Sequence, residues 1–337
     1  MSGGGRLRAL LVLAALSLGA LSLSVALGSS FVSPERLARG LWGAEQEASW
    51  LRLILVDVRL PRALVAYLVG AALGVSGCAL QGLFRNPLAD PSVLGVSASA
   101  ALAAQLVIFS GVAAAASWTV PVSATAGAAL ATLGLALVAG GLRKGALETL
   151  ILGGIALGNV AIALSSLLVS LALRDFTIAT RLLQWTLGSL DGRSWMHVWW
   201  GLGPVVGGTA WLVVRARELD ALLLGDVTAT SLGVDVARVR RDVVLATALL
   251  TGAAVAMGGI VGFVGLVVPH LMRRRLGPLH GSLLPASALA GGVLVVLADV
   301  LARRLIAPEE LQIGVLTAAL GAPWFVLLVR SRLRGVE

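Results

Sequence analysis

The residues able to do chemistry are few, and they are scattered. Among 337 residues there are three histidines, one cysteine, 17 carboxylates and 26 basic side chains. His197, His270 and His280 stand alone, and no HExxH or Cys/His cluster offers metal-ligand spacing. There is no GxxxxGK[ST] loop to cradle a nucleotide's phosphates, so this chain has no such route to hydrolysing ATP. Cys78 lies inside an apolar run and cannot form an intrachain disulfide. Asp299 precedes Arg303 and Arg304, which reads as a structural ion pair near a helix end.

The elements positioning these groups must sit in lipid. Hydrophobic residues make up 58% of the chain and charged residues 13%, with a mean hydropathy of +0.95. A soluble domain carries roughly 25% charged residues, so water-facing surface cannot be covered with this supply. Apolar runs occupy 7–27, 61–83, 92–111, 119–141, 149–173, 196–215, 243–260, 261–273, 283–302 and 313–330. A membrane-spanning helix takes ~20 residues. The runs therefore predict an all-α integral membrane protein of about ten spans, a single domain over 1–337. The first run is longer than a signal-peptide core and lacks a small-residue cleavage pattern, so a retained helix is expected.

The net charge of +9 does not indicate nucleic acid, because the basic residues form no single patch. They fall in short groups between runs, such as Arg143/Lys144, Arg238/Arg240/Arg241, Arg273/Arg274/Arg275 and Arg330/Arg332/Arg334. Placing both termini in the cytoplasm puts nearly all of these groups inside, as the positive-inside rule requires. Residues 28–60 then form the longest outer loop, holding Pro34, Trp42 and Trp50 and expected to include a short surface-lying helix. Residues 243–273 are too long for one helix and short for two, and Gly258, Gly259, Gly262 and Gly265 predict a broken pair. Irregular backbone at that depth needs cover from protein or a water-filled cavity. The 41 glycines suit close helix packing, and most of the nine tryptophans lie near span ends as an interfacial belt.

The longest cytoplasmic stretch, 215–242, carries Leu219, Leu222, Leu223, Leu224, Val227 and Leu232. That pattern predicts two short amphipathic helices broken near Gly225, with an apolar face that a partner must cover. The spans lack the carboxylates an ion-coupled carrier uses, so transport energy is expected to enter through this stretch from a motor subunit. An ion-coupled secondary transporter is the alternative.

The run VRLPRALVAYLVGAALGVSGCALQGLFRNPLADPSVLGVSASAAL at 58–102 resembles the signature of the FecCD-type permeases. These are the membrane subunits of binding-protein-dependent ABC importers for iron–siderophore complexes, haem and vitamin B12. Further matches follow in order: LILGGIALGN at 150–159, QWTLGSLDGRSW at 184–195, LDALLLGDVTATSLGV at 219–234, and GFVGLVVPHLMRRRLGPLHGSLLPASALAGG with LADVLAR within 262–303. The last is EELQIGVLTAALGAPWF at 309–325. The resemblance implies the ten-helix, vitamin B12 permease-like type II importer fold and a homodimer in the bacterial inner membrane. Two ATPase subunits would bind below it and a periplasmic substrate-binding protein above. The chain itself would bind no cofactor, with ATP and magnesium held by the ATPase.

The resemblance also implies roles by position. Arg59, Arg62 and Arg303 match outward-facing arginines that receive acidic residues of the binding protein, with headgroup anchoring as the alternative. Leu224, Gly225, Asp226, Ala229, Leu232 and Gly233 match the segment that fits a cleft in the ATPase. Asp226 stands where the family usually has Glu, and Thr230 where the vitamin B12 permease has Arg. Asn86 and Leu88 of the RNPL loop match one set of cytoplasmic gate residues. Leu147 and Glu148 occupy the second gate position, where the vitamin B12 permease has a Thr-Ser pair, so the gate chemistry departs there.

Overall fold

The computed structural model describes residues 3–28, 51–116, 118–138 and 146–333. Most of the predicted outer loop lies outside the described residues, including Pro34, Trp42 and Trp50. Its last part, Leu53–Arg59, is a π-helical stretch running directly into the next helix.

Among the described residues the elements are helices. In chain order they are α1 (Gly3–Ala26), α2 (Leu60–Leu83), α3 (Val96–Phe109), α4 (Thr119–Val138), α5 (Ala146–Ala172), α6 (Phe176–Leu187) and α7 (Trp195–Val214). Then follow α8 (Ala216–Leu222), α9 (Asp226–Ser231), α10 (Val236–Gly258), α11 (Val264–Leu276), α12 (His280–Arg304) and α13 (Ile313–Leu333). Each apolar run of the sequence falls on one of these helices. Among the described residues, five stretches are long and apolar enough to cross a bilayer by length and composition. They lie in α1, in α2 with its π-helical lead-in, and in α5, α10 and α12, with shorter apolar helices in α3, α4 and α13.

The bundle is built around α2, which packs against α12, α10, α11 and α7. Small residues make this possible. A Cβ on Gly70 would collide with the backbone of Gly291 in α12, and one on Gly77 with the backbone of Gly265 in α11. With no hydrophobic drive between helices in lipid, such backbone approach is a main source of association.

The 243–273 region breaks where its glycines fall. Gly259 (φ 70°) ends α10 and Phe263 (φ 66°) starts α11. The Gly259 and Ile260 amides still find acceptors, on Val255 and on Trp185 of α6. Protein thus covers the irregular backbone. Helix α6 has no counterpart among the predicted elements. Asp175 starts it by accepting from the Thr177 and Ile178 amides at 2.9 and 3.2 Å. Ala179, Leu182 and Trp185 are its buried face.

Candidate functional site

The polar residues gather at the two ends of the bundle. At one end, α8 and α9 turn sharply into each other. Gly225 sits at φ 102°, ψ 157°, a conformation open to glycine and costly for a side chain. Gly233 (φ 82°) closes α9 in the same way. Leu219, Leu222 and Ala229 are buried against the core. Leu224, Val227 and Leu232 point away from it, 65%, 78% and 63% exposed. The expected pair of short helices broken near Gly225 is present, and its outer face is apolar and uncovered.

Ion pairs attach this segment to the bundle. Asp226 receives Arg240 Nη2 of α10 on Oδ2 at 2.5 Å and Arg85 Nη2 on Oδ1 at 3.1 Å. Asp220 of α8 accepts both the backbone N–H of His280, at 2.8 Å, and a contact with its Nδ1 at 2.7 Å. His280 is wholly buried at the start of α12. Arg215, at the α7–α8 junction, bonds Glu218 at 2.8 Å and Asp242 of α10 at 2.9 Å. The hydrogen bond it donates to Glu218 contributes most to holding the Arg215 guanidinium above its usual pKa.

The pairs differ in strength. The Arg240 side chain is 7% exposed, so removing Asp226 would leave a buried charge, a loss of about 3–5 kcal/mol for such a pair. The Arg85 side chain is 42% exposed, and exposed pairs contribute about 0–1 kcal/mol.

The RNPL loop lies beside this cluster. Asn86 Oδ1 accepts from the Leu88 amide at 2.9 Å, an Asx turn that Pro87 stiffens. Asn86 is exposed and Leu88 half-buried. Asp90 caps the following turn, Pro91–Leu94, by accepting from the Ser92 amide. That turn packs against α5. Leu147 and Glu148 are in the first turn of α5, but their side chains lie outside the described residues.

The three arginines meet at the opposite end, and their own chain holds them. Arg59, 6% exposed, donates from Nη1 to the carbonyls of Val25 and Ala26 at 3.1 Å. Arg303, 3% exposed, donates to the Leu27 carbonyl and to Ser24 Oγ. Both thus cap the C-terminus of α1, where unpaired carbonyls and the helix dipole favour a cation. Asp299 is buried between Arg62 (2.9 Å) and Arg303 (3.0 Å), and Arg62 also pairs with Glu310 at 2.8 Å. Asp299 is therefore ion-paired, with Arg62 and Arg303 as partners and Arg304 exposed. The sequence offered no way to pair Arg62 with a residue 237 positions away.

Beside this cluster a cavity of about 260 Å³ is lined by Arg62, Gln184, Asp191, Glu310 and Gln312, among others. An adjoining one of about 230 Å³ holds Arg181, Trp185, Arg193 and His197. Burial pushes Arg193 down to about 10, still charged at neutral pH, and its guanidinium lies over the Trp185 ring. No group of His, Cys, Asp and Glu among the described residues could hold a metal ion.

The described residues thus form a helical bundle whose ion pairs gather at its two ends, with helices apolar and long enough to cross a membrane. The chain belongs to the FecCD transport family, whose model matches residues 12–331. It is 40% identical to the hemin transport system permease protein HmuU of Yersinia pestis, over 96% of this chain and 93% of that one. It is equally 40% identical to the vitamin B12 import system permease protein BtuC of Vibrio vulnificus, over 96% and 94%. A solved ABC transporter assigned to the metal-chelate type, in an inward-facing conformation, superposes with a TM-score of 0.85 at 32% identity. That match covers 96% of this chain and 99% of the other.

Proposed function

We propose that this chain is the transmembrane permease subunit of an ABC importer, moving an iron chelate (siderophore or haem) or a corrinoid from periplasm to cytoplasm by alternating access. The family and the haem and vitamin B12 permeases it resembles support that substrate class. The observation that carries the mechanism is the outer face of α8–α9. Leu224, Val227 and Leu232 are exposed where the sequence places the cytoplasm. Burying a side chain of that size gains about 1.5–3 kcal/mol, so the face suits a protein partner. The partner is an ATPase, because the chain has no phosphate loop of its own.

The full assembly is a homodimer with two ATPase subunits below and a periplasmic substrate-binding protein above. Ten crossings, with both termini in the cytoplasm, account for the basic clusters. ATP and magnesium belong to the ATPase. ATP binding closes the ATPase pair, α8–α9 carry the motion to the spans, and the ligand leaves past Asn86, Leu88 and the start of α5 at Leu147 and Glu148. Docking of the binding protein takes a narrower form than three free arginines. Arg59 and Arg303 shape the surface by holding the end of α1, while Arg62, 13% exposed, would exchange Glu310 for an incoming carboxylate.

The apolar face gives the test. Leu224→Asp with Leu232→Asp should abolish co-purification of the ATPase while the permease remains folded by its thermal transition. Undiminished co-purification would remove the coupling assignment.

A further inference from the structure

Arg85 occupies a position that a side chain normally avoids. It follows the C-cap of α2, and its φ is 49°, in the left-handed region that glycine usually supplies at a helix end. A non-glycine residue held there marks a constraint worth a functional hypothesis. The backbone closes the helix in the ordinary way, with the Arg85 amide on the Gly82 carbonyl and the Asn86 amide on that of Gln81. The closure needs no arginine. What the arginine adds is reach. Its guanidinium extends from the loop to Asp226 and lies against Gly225, the turn between α8 and α9. The next residue in the loop is Asn86, whose side chain sets the Asx turn.

Asp226 therefore has two unequal partners. Arg240 is buried on α10 and its bond is short, 2.5 Å. Arg85 is exposed and its bond is longer, 3.1 Å. If α9 shifts against the bundle, the buried partner travels with Asp226 or resists the shift. The exposed partner can let go, because water replaces Asp226 around its guanidinium.

We propose that Arg85 and Asp226 form a latch by which the coupling helix holds the RNPL loop, with Arg240 as its permanent anchor. The latch is closed in the arrangement seen here and opens when α9 moves. Arg85 and Asp226 are then positioning residues. They touch no transported ligand, and they set when the loop carrying Asn86 and Leu88 is released. The proposal rests on the reading of the chain as an ATP-driven permease, and it adds the link from the motor's docking site to the gate.

The test uses full-length permease with its ATPase in nanodiscs, spin-labelled at Leu88→Cys and Thr228→Cys. Cys78 is buried and does not take the label. The distance distribution should be narrow without nucleotide, and it should broaden or shift with ATP and vanadate. Arg85→Ala should be broad in both conditions, and Arg85→Lys should restore the narrow state. A purely structural Arg85 predicts a narrow Arg85→Ala distribution, which would overturn the latch. In liposomes with binding protein and haem, cobalamin or a ferric siderophore, Arg85→Ala should lose about two- to fivefold in ligand moved per ATP, the most that an exposed pair of this kind can supply. Its ATPase rate should remain near wild type. An unchanged ratio would also overturn the proposal. Should the wild type hydrolyse ATP and move none of haem, cobalamin and a ferric siderophore, the functional reading fails, while the label distances still judge the latch.

Discussion

Both ends of the bundle carry a carboxylate between two arginines, yet the two triads are built for different tasks. At the end that the proposed orientation places outside, Asp299 is 1% exposed and its partners Arg62 and Arg303 are 13% and 3% exposed. Helix α1 is tied to the same cluster through its terminal carbonyls. At the inner end, Asp226 is 34% exposed, with one buried partner and one exposed. Burial decides the difference. A pair sealed from water can be broken only at the cost of a stranded charge, so it fixes geometry. A pair open to water exchanges freely, so it can report or transmit a movement. The outer triad is a clamp, and the inner one is a clamp with a release.

The largest expected effect tests the clamp. Asp299→Ala strands Arg303 and leaves Arg62 only Glu310, so it should cost about 3–5 kcal/mol. The check is thermal unfolding of purified permease in detergent. Arg85→Ala, by contrast, should cost less than about 1 kcal/mol. Equal losses would erase the distinction between the two ends. The same burial means that reversing the charge of Arg59 and Arg62 together would read first as instability, and only then as lost docking.

The next effect concerns the turn that carries the inner triad. Gly225→Pro cannot reach φ 102°, and it removes the amide bonded to Leu222, a local loss of about 3 kcal/mol. The core packing of Leu219 and Leu222 is untouched, so the permease should still fold and still bind ATPase through part of its surface. ATP hydrolysis should continue with transport lost. Normal transport per ATP in this variant would show that the turn carries no motion.

The smallest effect tests the exposed edge of the outer triad. Glu310→Gln removes the competitor that Arg62 would exchange for a binding protein's carboxylate. Docking should tighten by about two- to fivefold at low salt, the scale of one exposed ion pair, and the gain should fade as salt screens it. Binding titrations at two ionic strengths are the check. A salt-independent response would take Arg62 out of the docking surface.

Much of this organisation was legible in the chain. The apolar runs located the long helices, because hydropathy reports the solvent they face. Gly258, Gly259 and Gly262 marked the break before α11, where Gly259 takes φ 70°, and Gly225 marked the turn between α8 and α9 at φ 102°, a region few other residues enter. What hydropathy could not tell was which helix lies inside. The windows of α2 and α5 have mean hydropathies of 2.0 and 2.1, yet they are 89% and 22% buried. The difference lies in α2's glycines against the backbones of α11 and α12, which only the three-dimensional arrangement pairs. Helix α6 was missed because Arg181 and Gln184 interrupt its apolar pattern, although the Asp175 cap was a readable signal. The arginine partners were hidden for a plainer reason. Arg62 with Asp299 and Arg85 with Asp226 join residues that are 237 and 141 positions apart.

The central claim is that this permease draws its energy from a second chain through α8–α9. The direct measurement is uptake of haem or cobalamin into liposomes holding the permease with its ATPase, with binding protein outside. Uptake should require ATP inside, persist when proton and sodium gradients are collapsed, and vanish in Gly225→Pro. Uptake driven by an ion gradient without ATP would contradict the account.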